Sequence, residues 1–108
     1  MARIPKRLYG PAQLSAVAET KYTVPANTKT LLRQVGVSNP SASPVDFTLS
    51  IGADAAGTRL FDGLPIPADS KQTFHITETL EEGEIVQAFA GTANVLVLTL
   101  NGDEIVLG

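Results

Sequence analysis

Residues 45–51 read VDFTLSI and alternate without a break: Val45, Phe47, Leu49 and Ile51 are apolar, while Asp46, Thr48 and Ser50 are polar. Successive side chains of extended backbone point to opposite sides, so a period of two predicts a strand with one buried and one wet face. The stretch is bounded by NPSASP (39–44) and GADAAGT (52–58), both rich in residues that favour turns and loops. Working outward, KQTFHITETL (71–80) alternates again, with Phe74, Ile76 and Glu78 on one parity. TLLRQVGVSN (30–39) reads as a strand with Leu31, Val35 and Val37 facing inward and Gly36 marking a bulge or close approach. IVQAFAG (85–91) follows the EEGE turn, and AQLSAVAE (12–19) and KYTVPANTK (21–29) supply two further short strands. VLVLTL (95–100) is apolar on both parities and predicts a central strand covered on both faces. Asn101-Gly102 after it predicts a hairpin into DEIVLG, and Asp62-Gly63 a turn within RLFDGLPIPADS, whose Pro65 and Pro67 fit only an edge or a connection.

Seven Pro and nine Gly divide 108 residues into short runs, and no 3.6-residue periodicity persists long enough for a helix. The economical architecture is an all-β, two-sheet antiparallel sandwich of jelly-roll type with eight or nine strands. Residues 1–11 are set apart from the domain at 12–108 as an extended basic arm, stiffened by Pro5 and Pro11.

Charge is segregated along the chain. Residues 1–33 carry six bases and only Glu19, net +5, whereas 34–108 carry ten acids against Arg59 and Lys71, net −8. A broad basic face is missing, which argues against nucleic acid as a partner. Two-signed asymmetry fits docking between like subunits or onto a large partner. The chain has no cysteine, which removes disulfides, thiolate catalysis and Cys-based zinc sites. No apolar run approaches the ~20 residues of a membrane span, and the basic start leads into no apolar h-region. The expectation is a protein made and folded in a cytoplasm, with no membrane partner.

Chemistry-bearing residues are few. The single histidine, His75, stands between Thr73 and Thr77 on the polar parity of its strand, without a serine motif or metal ligand near it in sequence. Glu78, Glu81, Glu82 and Glu84 gather around Gly83, where a turn leaves acids solvated. No phosphate-cradling glycine loop, nucleophile elbow or HExxH is present. The expectation is a non-enzyme without metal or cofactor. Arg33 is the conspicuous residue, because it shares the apolar parity of Leu31, Val35 and Val37. Either a bulge swings it to solvent or a salt bridge, in the acidic half of a neighbour, offsets its desolvation.

The segments YTVPANTKTLLRQVGVSNPSASPVDFTLSIG (22–52), LFDGLPIPADS (60–70) and LEEGEIVQAFAG (80–91) together resemble small β-sandwich virion proteins of tailed bacteriophages. That resemblance implies a structural role in the virion, foremost as a capsid decoration (cement) protein on the major capsid protein or on neighbouring copies. A minor tail or adaptor protein is the alternative within the virion. It supplies no catalytic residues. The candidate interface is Arg3, Lys6, Arg7 and Tyr9 of the arm, with Arg33. A glycan-binding module is a further alternative from the fold type, weakened by the absence of Trp and by Phe47 and Phe74 reading as core.

Overall fold

The structure, a computed structural model, describes residues 2–107, and side chains from Arg3 onward. Eight strands follow one another: β1 (Ala2–Gln13), β2 (Glu19–Thr23), β3 (Thr28–Asn39), β4 (Val45–Ile51), β5 (Arg59–Ile66), β6 (Ser70–Leu80), β7 (Ile85–Ala90) and β8 (Val97–Val106). They form two four-stranded sheets, ordered β1-β8-β3-β6 and β2-β7-β4-β5, with every pairing antiparallel. This is the two-sheet jelly roll that the alternation predicts. Among the described residues there is no helix, and so none to cross a membrane.

The core lies between the sheets. Leu32, Val35 and Val37 of β3 and Leu98 and Leu100 of β8 face Phe47 and Leu49 of β4 and Val86 and Ala88 of β7. Burying side chains of this size stabilises by about 1.5–3 kcal/mol each, which offsets the ordering of short strands. One aromatic row closes the side between β5 and β6: Phe47 lies 5.6 Å from Phe61, and Phe61 4.8 Å from Phe74, centroid to centroid.

Several expectations are corrected in detail. Residues 1–11 do not end at a domain boundary, because β1 continues to Gln13 and pairs with β8 from Ala2↔Val106 to Gln13↔Val97. The strand expected over 12–19 is therefore split, and residues 14–18 connect the sheets. Asn101-Gly102 makes no hairpin: β8 runs straight through it, since here glycine serves close strand contact rather than a turn. Asp62-Gly63 is a bulge, one extra residue of β5 against β4 between the pairs Leu49↔Phe61 and Phe47↔Leu64, with Gly63 at φ +62°. In β3 the bulge sits at Arg33, not Gly36. It shifts the inward parity from Thr28, Thr30 and Leu32 to Val35, Val37 and Asn39, leaving Leu31 only half-buried.

Nor is the polar face of β4 fully wet. Thr48 is 4% exposed and Ser50 1%, because β4 is an interior strand and its polar side chains are used. Thr48 Oγ1 accepts the Gly63 amide at 3.0 Å, and Ser50 Oγ donates to Asp54 at 2.9 Å.

Candidate assembly surface

The five residues singled out at sequence level fall on β1 and β3, the two strands that flank β8 in one sheet, but mostly facing their own chain. Asp103 and Glu104 are consecutive on β8, so their side chains leave opposite faces. On the outer face Asp103 Oδ2 accepts Arg3 Nε at 3.0 Å and Arg3 Nη2 at 2.6 Å, and Arg33 Nη1 from the other side at 3.1 Å. Arg33 thus meets the first fate weighed for it and, in place of a bridge to a neighbour, makes an ion pair within its own chain. The bulge exposes it and a salt bridge holds it, with the acid supplied by its own β8. Asp103 is left only 5% exposed beneath two guanidinium groups.

On the inner side Lys6 Nζ donates to Glu104 Oε1 at 3.1 Å, and the Tyr22 hydroxyl donates to Glu104 Oε2 at 2.6 Å. With its proton committed there, the Tyr22 oxygen accepts from Thr30 Oγ1 at 2.7 Å. Glu104 is 8% exposed, yet every buried side-chain N and O atom among the described residues has a partner. Together these contacts rivet β1 to β8, β8 to β3, and one sheet to the other. The +5 and −8 segments meet within one molecule because the topology makes β1 and β8 neighbours.

The remaining basic residues differ. Arg7 is exposed and donates to the Gly10 carbonyl at 3.3 Å, and among the described residues it meets no carboxylate. Tyr9 packs half-buried on the core, with Lys21 Nζ 5.5 Å above its ring. His75 stays exposed on β6 and lines a shallow depression of about 350 Å³ with Arg33, Gln34, Ile76 and Thr77. The acids of the EEGE turn serve the turn: Glu84 accepts the Glu81 amide at 2.6 Å, Glu82 accepts the Asn27 amide, and Glu81 pairs with Lys29 at 3.6 Å. All six aromatic rings are buried or half-buried, so none stands out as a sugar platform.

The electrostatics set pH limits on stability. Bonds from Arg3, supported by Arg33, hold the Asp103 carboxyl below its ordinary range. Burial works against ionisation of Glu104, but the bonds from Tyr22 and Lys6 outweigh it and the net shift is downward. Burial and the Glu104 carboxylate push the Tyr22 hydroxyl up to about 12. Depressed carboxyls stabilise fully above their unfolded values near ~4 and lose that contribution as pH falls through the folded ones. A raised phenol stabilises fully below ~10 and loses its contribution as pH rises from there toward 12. The melting temperature is therefore expected to be flat from about pH 5 to 9, to fall below about pH 4, and to fall again above about pH 10. Asp103→Asn should flatten the acid limb and Tyr22→Phe the alkaline limb; unaltered limbs in thermal melts would remove these groups as the cause.

Glu104 is the functional residue that sequence reading passed over. It shares the parity of Leu98 and Leu100, and a carboxylate in register with buried leucines signals an internal ion pair.

No protein-family model and no curated protein matches the sequence. Among solved structures, the fold is similar to a chain of the disulfide-linked pili that form Bacillus endospore appendages, with TM-score 0.57 and 14% identity over 98% of this chain and 89% of that one. A chain of infectious bursal disease virus, Gx strain, aligns at TM-score 0.48 and 7% identity over 95% of this chain but 30% of its own length. At such identities the likeness is one of fold: this chain is a jelly roll, and with no cysteine it has no disulfide chemistry of its own.

Proposed function

We propose that the chain is a non-enzymatic structural subunit of a tailed-phage virion. Its role is that of a capsid decoration protein seated in many copies on the major capsid protein or on neighbouring copies. The observation that carries this reading is the placement of β1. It is an edge strand riveted to its own sheet through Asp103 and Glu104, and it leaves Arg7 on the outer face and Ile4 on the opposite one both exposed to solvent. A rigid edge of this kind presents a cation and an apolar side chain to a partner without ordering a loose segment first, which lowers the entropic cost of docking. The resemblance of residues 22–52, 60–70 and 80–91 to phage virion proteins supplies the partner class.

The test is binding to purified phage shells that lack the protein, read by co-sedimentation and electron microscopy. Saturable binding at symmetry-equivalent shell positions is expected, weakened by Arg7→Glu, which leaves the Asp103 and Glu104 contacts intact. Failure to bind shells would overturn the reading. Density confined to the tail would assign the chain to a tail or adaptor ring instead.

A further inference from the structure

The two sheets end in four edges, β1, β6, β2 and β5. Exposed edges invite pairing with other chains, and proteins blunt them with proline, bulges, charge or shortness. Three of the four are blunted here. β1 carries Pro5, Pro11, two register breaks and three bases; β5 carries the Gly63 bulge and Pro65; β2 has five residues. β6 differs: its 11 residues contain neither proline nor glycine. Its two charged residues, Lys71 and Glu78, stand near its ends. Its inward side chains from Gln72 to Glu78 are only half-buried, Phe74 and Ile76 among them.

From Lys71 to Thr79 the strand is also self-complementary about His75. Two antiparallel copies in that register place Phe74 opposite Ile76, Thr73 opposite Thr77, Gln72 opposite Glu78, and His75 opposite its own mate. Aromatic with β-branched, threonine with threonine, and amide with carboxylate are all favourable cross-strand pairs, and each forms twice across a two-fold axis. Registers displaced by two residues along the strand lose this match: one sets Phe74 against Glu78, the other Gln72 against Ile76.

We propose that β6 is a homodimerisation edge: two copies pair β6 to β6, antiparallel and centred on His75, joining their four-stranded sheets into one continuous sheet. The pairing covers Phe74 and Ile76 and satisfies the outward amides of β6. It deepens the multi-copy reading above but is tested apart from it. A dimer in solution that ignores shells would fail only the decoration role, and a monomer that still binds shells would overturn only the pairing.

The experiment exploits the absence of cysteine. Each variant is made in the full chain, and every changed residue is exposed on β6. His75→Cys is expected to give a disulfide-linked dimer under mild oxidation, because mates across the axis lie ~5 Å apart. Thr73→Cys and Thr77→Cys should each fail to cross-link alone, their own mates being ~13 Å away, yet cross-link when mixed. In light scattering the native chain should be dimeric. Thr73→Lys with Thr77→Lys should weaken association at least ~tenfold, whereas Thr73→Lys with Thr77→Glu should preserve it. A native chain that stays monomeric, or equal cross-linking by Thr73→Cys alone and His75→Cys, would overturn the proposal. Unchanged thermal melts of the variants would show that loss of the dimer is not loss of the fold.

Discussion

Gly102→Ala is expected to cost about 3–5 kcal/mol and to leave little native protein at ambient temperature. Gly102 lies within β8, opposite Lys6 of β1 on one side and Leu32 of β3 on the other. A Cβ there would stand 2.0 Å from the Leu31 carbonyl oxygen and 3.1 Å from its carbon. The Leu8 side chain, at 3.2 Å, could give way, but the Leu31 carbonyl is backbone beside the Arg33 bulge and is held in a ladder on both sides. Relief means parting β8 from β3, and those strands carry Leu32, Val35, Leu98 and Leu100 of the core. Urea denaturation measures the loss. Gly57→Ala is the control, since a Cβ at Gly57 meets nothing within 4 Å, and its expected effect is within about 0.5 kcal/mol. A midpoint for Gly102→Ala close to that of the control would show that the strands separate more freely than their packing implies.

The same glycine shows where sequence reading stops. Asn-Gly after an apolar run is a hairpin signal because both residues tolerate left-handed backbone. A glycine admitted for close contact leaves the same trace in the sequence, and only the neighbouring strand distinguishes the two. The alternation in β4 and β6 was legible because it depends on one element at a time. What depended on two elements was not. Arg33 looked inward by parity, and the bulge that turns it out is visible only against β6 and β8. Thr48 and Ser50 looked wet, and become buried because the Gly63 bulge and Asp54 close over them. The opposite charges of the two ends were legible as complementary, but not as complementary within one molecule. That follows from a jelly roll placing its first and last strands side by side, a contact spanning nearly the whole chain.

Removal of residues 2–13 is the second large effect, and it decides between an arm and a strand. A free docking arm could be cut away to leave a folded domain. β1 instead pairs with β8 at nine positions, and Leu8 and Tyr9 pack against the core. Without it Asp103 loses Arg3, and Glu104, still beside Tyr22, loses Lys6. β8 would become an edge presenting Val97, Leu98, Thr99 and Leu100, an apolar β-prone run of the kind that pairs between chains. The truncated chain is therefore expected to lose its cooperative thermal transition and to aggregate at concentrations where the full chain is soluble, read by circular dichroism and light scattering. The triple variant Arg3→Ala, Lys6→Ala, Arg7→Ala keeps the strand and removes only the charge. It should stay folded, with a lower melting temperature at pH 7 and a flatter acid limb, because Asp103 keeps only Arg33 and Glu104 keeps no cation to lose on protonation. If the truncated chain instead melts cooperatively within a few degrees of the intact one, β1 is dispensable to the fold, and its basic residues are free to serve a partner after all.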